Sequence, residues 1–451
     1  MDFDLKDYSR AGRRVHFIGI GGVSMNALAQ ALHARGCSVT GNDRTDSPVT
    51  ERLRAAGIPV SVGHAAEYVR GADAVVRNAA IHDDSPDVAE ARRLGLPVYE
   101  RPQVLGALMR EHEKCICVAG THGKSTGSSM LSAITLAAGL DPTIFIGANY
   151  APIGGTYRLG NSPVLVAEAC EYCDSFLSFF PETAVILNIE EDHLDYFSGI
   201  EQIRDSFRRF ALRTPETGCV ICNADDENCR KALADLPRRV ITFGERGDVR
   251  AERVEFVRGH GEFDLTNHGE TLCRIRLGVP GDFNIKNALA ASAAALNYGI
   301  APEVIAAALA DFHGAGRRME LRGEFRGIPF YDDYAHHPSE LAVALRTAKT
   351  MTEGRVVCVF QPHTYTRTRT LMPDFVRSLK LADEVILPPI YAAREADDGV
   401  TSSVKLAAQI PGAHAVQSLV EAAALLGEIA KPGDIILAVG AGDIVGLYDL
   451  L

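Results

Sequence analysis

The feature that most constrains this chain is the join between an apolar strand and a loop that carries a lysine. The run CICVA leads directly into Gly120, Thr121, His122, Gly123, Lys124, Ser125 and Thr126, and helical periodicity begins there. A strand that ends in a glycine turn and restarts as a helix aims its first helical amides at whatever lies above the strand end. Glycines let such amides close around phosphate oxygens, Lys124 neutralises charge on the β and γ phosphates, and Ser125 or Thr126 is placed to ligate magnesium. The usual phosphate loop has one more glycine, where this chain has Val118, so the loop is a shortened variant. It predicts an ATP site on an α/β sheet.

A bound metal needs acidic partners. Glu168 in VLVAEACEYCDSF and His193 in VILNIEEDHLDYF both follow apolar strands. Both are expected beyond the carboxyl ends of strands next to the phosphate-loop strand, where open α/β sheets place ligands. A second glycine turn comes earlier: Gly19, Gly21 and Gly22 follow the strand HFI, and Asp43 ends the next strand. That is most of a dinucleotide fingerprint, with Ser24 in place of the third glycine. The pyrophosphate of any nucleotide, a UDP-sugar included, would satisfy the same amides. An NAD-dependent oxidoreductase is the rival reading, and it leaves the second phosphate loop and the last third of the chain unexplained.

The chain has 451 residues, too many for one core. It reads as three tandem α/β units, at 1–108, 109–318 and 319–451. The first has strands at RRVHFI, CSVTGND, DAVVRNAAI and LPVYERP, with Pro102 marking an edge, and a helix through Met25, Leu28, Ala29 and Leu32. In the second, strands at SPVLVAEA, TAVILNIE and GCVICNAD precede a β-rich stretch near 240–280 and a helix from Asn284 to Tyr298. Strands at PFYDDYA, RVVCVFQP, DEVILPP and DIILAVG make the third, separated by helices at 339–350, 370–381 and 417–429.

A net charge of −12 argues against a broad nucleic-acid surface, which needs clustered Lys and Arg. No apolar run reaches the ~18 residues of a membrane span, and the acidic start MDFDLKDYSR is no secretory signal. A cytoplasmic protein is expected, as monomer or homodimer. Ten cysteines in a chain of this size are not a disulfide framework. Cys219 and Cys222 lie on a predicted strand, where residues three apart face opposite ways and cannot chelate one ion; with Cys170 and Cys173 they read as reduced thiols.

Taken together, these pieces resemble the muramyl ligases, which join an amino acid or peptide to a UDP-muramoyl carboxylate. The resemblance spans nearly the whole chain: HFIGIGG at 16–22, GTHGKST at 120–126, EACEYCDSF at 168–176, NIEEDHLDYF at 188–197, FNIKNALAA at 283–291, FHGAGRRME at 312–320, YDDYAHHP at 331–338, FQPHTYTRT at 360–368, YAARE at 391–395 and GAGDI at 440–444. It implies Rossmann-like first and third domains around a phosphate-loop ATPase. The implied substrates are ATP with Mg2+, UDP-N-acetylmuramate, and L-alanine, the last from YDDYAHHP and FQPH-Y-RT. A sibling branch that recycles a whole peptide onto the same UDP-sugar is similar over all three domains.

The resemblance also implies roles. Lys124 and the amides of 120–126 would hold the ATP phosphates, with Ser125 or Thr126, Glu168 and His193 around magnesium. Asn287 would contact adenine and Arg318 the γ-phosphate, while Asp332 and Asp333 close on the nucleotide. His336, His337, His363 and Arg367 would position the incoming alanine, and Gly19, Gly21, Gly22 and Asp43 would face the UDP moiety. His337 has an alternative as a helix cap, and Arg318 as a surface charge. Phe283, Thr364 and Arg208 depart from the family pattern, at positions usually held by histidine, by arginine and, in some branches, by a carbamylated lysine. The three-domain layout suggests that the last domain closes over ATP to exclude water. A UDP-sugar-binding sensor without catalysis is the third reading.

Overall fold

This computed structural model describes residues 3–9, 12–78, 80–194, 196–393 and 395–451. Asp195, within the 188–197 motif, and Arg394, within the 391–395 motif, lie outside the described residues. Those described form two compact units, one of 1–250 with 289–304 and one of 251–288 with 305–451.

The first unit holds two sheets. In the first, β1 (Arg14–Ile18), β2 (Ser38–Asp43), β3 (Val60–Val62), β4 (Ala74–Arg77) and β5 (Val98–Glu100) run parallel in the order β3-β2-β1-β4-β5. Parallel strands need covered faces, and the helix Val23–Ala34 supplies cover by burying Met25, Ala27, Leu28, Ala29, Ala31 and Leu32. Pro102 does not mark a sheet edge. It sits in the first turn of a helix, Arg101–Met109, capped by Glu100, where a missing amide hydrogen costs nothing.

The second sheet is built from β6 (Lys114–Ala119), β7 (Thr143–Tyr150), β8 (Gly155–Arg158), β9 (Val164–Glu168), β10 (Thr183–Ile186), β11 (Cys219–Asn223) and β12 (Arg239–Phe243). Their order is β12-β11-β10-β6-β9-β7-β8, and only β8 runs antiparallel to its neighbour. The phosphate-loop strand β6 therefore lies between β9 and β10, so the loops leaving those two strands flank Lys124. The strand pair β7–β8 was not legible in the sequence. Cys219 and Cys222 are buried in β11, and burial pushes their thiols up to about 11 and about 12.

From Val249, paired with Phe243, the chain continues as β13 (Val249–Val257) into the second unit. That unit contains the antiparallel pair β14 (His260–Asn267) and β15 (Glu270–Pro280). Its main sheet has the order β16-β17-β21-β18-β19-β20, from β16 (Glu320–Phe325), β17 (Ile328–Asp333), β18 (Val356–Phe360), β19 (Glu384–Leu387), β20 (His414–Ala415) and β21 (Ile435–Val439). All pairs are parallel except β16–β17, joined by a two-residue turn whose Arg326 and Gly327 both have positive φ, 51° and 77°. That turn matches the right-handed twist of the strands. Helices Pro338–Met351 and Leu419–Ile429 match expectation, whereas the helix expected at 370–381 is two, Tyr365–Thr370 and Met372–Leu379. Among the described residues no helix is long and apolar enough to cross a membrane.

Candidate functional site

Buried β6 delivers the loop 120–123 to the start of the helix Lys124–Ala137. Both glycines are required there. At Gly120, φ is 149° and a β-carbon would lie 2.9 Å from Leu187 Cβ; Gly123 caps the helix at φ 82°. The loop is clasped by the segment leaving β10. Asn188 accepts the Thr121 amide on its carbonyl (3.1 Å) and the His122 amide on its side chain (2.8 Å), and returns a bond to His122 O. Thr121 and His122 are bonded to Asn188, whereas the amides of Lys124, Ser125 and Thr126 open the helix, where backbone N–H groups have no partner within it.

Lys124 folds back over its own loop. Its ammonium donates to Gly120 O (2.6 Å) and Thr121 O (3.0 Å) and pairs with Glu171. Burial works against its charge, yet the Glu171 carboxylate, with Cys170 and Glu168 behind it, prevails and holds the ammonium above its usual range. Glu171 is 2 % exposed. Its Oε1 takes the directed bond at 3.2 Å, while Oε2, 3.0 Å from the ammonium, is an ion pair without hydrogen-bond direction. Sequence reasoning missed Glu171 and Asn188. The only signal available was their place in strand-end loops.

Beside the lysine, Ser125 Oγ donates to Glu168 Oε2 at 2.7 Å, and the Gly147 amide, within β7, donates to the same oxygen at 2.9 Å. Ser125, not the more buried Thr126, therefore meets the carboxylate. A hydroxyl and a carboxylate beside a phosphate loop suit a hard divalent cation. His193 lies across the lysine, its Nε2 3.7 Å from Glu171 Oε1 and 3.8 Å from Asp192 Oδ2. It sits at φ 52°, and the Tyr172 ring packs on it at 4.7 Å. Positive φ away from glycine is strained and gathers at functional sites. Among the described residues, Glu171, Asp192 and His193 are the group with metal-ligand spacing. Arg101, half-buried near Glu168 and Cys170, is another cation that the sequence reading passed over.

The earlier glycine turn behaves differently. Gly19 and Ile20 amides donate to Asn42 O (2.8 and 3.0 Å), Gly21 to Asp43 Oδ2 (2.8 Å), and Gly22 to Gly19 O. These amides are all bonded within the fold. Asp43 holds the turn shut. Beneath it, His16 bonds Thr40 and Asn42, and Asn42 and His64 both meet the buried Asp87. Burial pushes the His16 imidazole down to about 4.

In the second unit, Arg317 rather than Arg318 is tied to the sheet, to Asp332 Oδ2 (3.0 Å) and the Gly440 and Gly442 carbonyls. Burial raises Asp332 to about 6 against that pairing, and its Oδ1 has no hydrogen bond. Asp333 accepts the Met319 and Ala335 amides (2.9 and 2.8 Å), so its carboxylate is a backbone clamp. Arg318 faces the Tyr334 ring, 5.5 Å from its centre. Arg317 and Met319, on either side of it, both have positive φ, 58° and 48°. His336 and His363 approach at 6.1 Å between ring centres, and Arg367 bonds His363 Nδ1 at 3.0 Å. Between them Thr364 caps the helix Tyr365–Thr370 at φ 67°, strained for a β-branched residue. His337 is the N-cap of the helix Pro338–Met351, in a capping box with Glu340. Asn287 donates to Asn284 Oδ1 at 3.0 Å. Arg208 bonds the Ala232 and Ala234 carbonyls, and the Phe283 ring lies against Gly281.

Comparison with known proteins bears on this arrangement. Residues 14–113 match the Mur ligase family catalytic domain, 118–295 the Mur ligase middle domain, and 317–442 the Mur ligase glutamate ligase domain. The chain belongs to the Mur ligase family. It is 44% identical over 448 residues to a UDP-N-acetylmuramate–L-alanine ligase of Clostridium novyi, covering 98% of this chain and 96% of that one. The corresponding ligase of Caldicellulosiruptor saccharolyticus is 43% identical, with 96% and 97% covered. Among solved Mur ligases, the UDP-N-acetylmuramate–alanine ligase of Thermotoga maritima superposes with a TM-score of 0.81 at 29% identity, covering 97% of this chain and 98% of that one. A murein peptide ligase of Psychrobacter arcticus gives 0.71 at 26% identity, with 97% of each chain covered. The three-part α/β architecture expected from the sequence is that of a Mur ligase.

Proposed function

We propose that this Mur ligase joins L-alanine to the carboxylate of UDP-N-acetylmuramate at the expense of ATP, in peptidoglycan precursor synthesis in the cytoplasm. The observation that carries the reading is the strand-end cluster of Lys124, Ser125, Glu168, Glu171 and His193 around a phosphate loop, in a chain 44% identical to a ligase of that name. The boundaries 1–108, 109–318 and 319–451 then separate UDP-sugar, ATP and amino-acid functions.

In this reading the muramoyl carboxylate oxygen attacks the γ-phosphorus and ADP leaves, giving an acyl phosphate. The alanine amine then attacks the acyl carbon, loses a proton, and the tetrahedral intermediate expels inorganic phosphate. Phosphoryl transfer needs positioning and charge neutralisation more than covalent help. Lys124 supplies charge at the β and γ phosphates, and the first-turn amides of Lys124, Ser125 and Thr126 hold their oxygens. Arg318 serves the γ-phosphate and Asn287 the adenine. Ser125, Glu168 and His193 would hold a magnesium ion, which would neutralise phosphate charge when bound. His336, His363 and Arg367 orient alanine, with His337 setting the helix that follows and Asp332 and Asp333 bracing the strand end beside them.

The test is phosphate release from ATP and magnesium with UDP-N-acetylmuramate, comparing L-alanine, the L-Ala-γ-D-Glu-containing tripeptide and no acceptor. Release dependent on both the UDP-sugar and L-alanine supports the proposal. Release only with the tripeptide moves the chain to the recycling branch, and silence with every acceptor points to a sensor.

A further inference from the structure

A groove of about 290 Å3 runs along the helix Arg101–Met109, within the first unit. Its walls include Phe3, Gln103, Arg110, Ser178, Phe180 and Arg213, and among the described residues lining it none is acidic. Gly106, where a β-carbon would run into Ser178 O, lets the segment 177–180 lie directly against the helix. Arg110 and Phe180 stand before the first residues of β6 and β10, whereas Lys124 follows the last residue of β6. A strand of that length, ~20 Å, keeps the groove apart from the phosphate loop.

Two guanidiniums meet at one ring there. Arg110 Cζ lies 4.0 Å and Arg213 Cζ 4.4 Å from the centre of the Phe180 ring. Arg213 also donates from Nε to Phe179 O at 3.2 Å, which fixes its plane. Both arginines follow the ends of helices, Arg101–Met109 and Ile200–Ala211. The ring and the negative ends of those helices favour cations at these two places. A guanidinium stacked on a ring presents its N–H fork edgewise, in a geometry that matches phosphate oxygens in pairs. A planar carboxylate offers two oxygens in one plane. A tetrahedral phosphate, or the two halves of a diphosphate, offers oxygens to two forks set in different planes.

We propose that this groove binds a small phosphorylated molecule, its phosphate or diphosphate oxygens held by Arg110 and Arg213 and its other polar groups by Gln103 and Ser178. The volume exceeds that of a phosphate group alone and lies at the lower end for small-molecule pockets, so the organic part is of modest size. The groove shares no residue with the phosphate loop or the earlier glycine turn, and the proposal stands apart from the ligase reading.

The experiment titrates inorganic pyrophosphate into the full chain in EDTA, with ADP and UDP both saturating so that nucleotide sites are filled. Calorimetry reads the binding. The expected result is one pyrophosphate per chain, bound about tenfold or more weakly by Arg110→Gln and by Arg213→Gln, since each loses a charge-assisted fork. Gln103→Glu keeps the acceptor that caps the helix at the Glu100 amide and sets a negative charge in the groove. It too should bind about tenfold or more weakly, and it decides the matter if the arginine variants do not fold. No binding to the wild type, or equal affinity in the wild type and every folded variant, overturns the proposal.

Discussion

Gly147 and Glu168 stand so close that a β-carbon on Gly147 would lie 2.5 Å from Glu168 Oε1 and 2.6 Å from Oε2. The contact joins the middle of β7 to the end of β9 and fixes the carboxylate that receives Ser125. Gly147 does not have a positive φ, so its backbone tolerates alanine and the whole clash falls on the glutamate. Gly147→Ala is therefore expected to leave the melting temperature within a few degrees. It should lower turnover about tenfold or more, equivalent to at least ~1.4 kcal/mol of barrier, and raise the magnesium concentration needed for half-maximal phosphate release. Normal magnesium dependence in a Gly147→Ala protein would count against Glu168 as a cation ligand.

Lys124→Ala removes the cation proposed to meet the phosphates and also leaves Glu171 buried without its partner. Turnover is expected to fall about 10²- to 10³-fold, the range for losing one charge-stabilising donor at a transition state. Stability should fall as well, by about 3 kcal/mol, as when one half of a buried ion pair is removed. Combining Lys124→Ala with Glu171→Gln should restore most of the stability and none of the turnover. Chemical denaturation and phosphate release on the single and double variants separate the two effects.

Arg317 and Arg318 are neighbours with different duties. Arg317 is one-fifth exposed and tied to Asp332 and two carbonyls, so Arg317→Ala should destabilise the second unit by about 3 kcal/mol. Arg318→Ala should melt near wild type yet lose about 10²-fold in turnover if its role is the γ-phosphate. Calorimetry paired with rate measurement distinguishes them. A stable Arg317→Ala together with an unstable Arg318→Ala would reverse the assignment.

His16 sets an acid limit. Its imidazole is pushed from 6.5 down to about 4 by burial, with the Asn42 bond opposing that shift. A folded-state value below the unfolded one means the unfolded chain binds the proton more readily. The stability that depends on a neutral His16 is thus complete above pH ~6.5 and is lost as the pH falls towards ~4, amounting to about 3 kcal/mol. His16→Gln, which keeps hydrogen bonding without the titration, should flatten the melting profile of the first unit between those values. A profile as steep as that of the wild type would show that other groups govern it.

Much of the site was legible because its chemistry is local. The phosphate loop, the three-sheet layout, and the placement of Glu168 and His193 beside β6 followed from apolar strands and the residues just past them. What failed did so for tertiary reasons. Pro102 looked like an edge, but Glu100 caps a helix there. The Gly19 and Gly21 amides bond Asn42 and Asp43 of the adjacent strand, and the Gly22 amide bonds Gly19, pairings that no local pattern announces. Asp333, expected to close on the nucleotide, also clamps the Met319 and Ala335 amides, a pairing that only the folded chain reveals.

By itself the sequence determined which segments could be strands and helices, and which short runs could hold phosphate. Periodicity and glycine placement act within a few residues of one another, so they survive reading in one dimension. Only the tertiary structure decided who partners whom: that β6 lies between β9 and β10, that Lys124 rests on Glu171, that Asn188 holds the phosphate loop, and that Arg317, not Arg318, anchors the sheet. A charge's effect depends on burial and on neighbours brought together across tens of residues, and that information exists only once the sheets have formed.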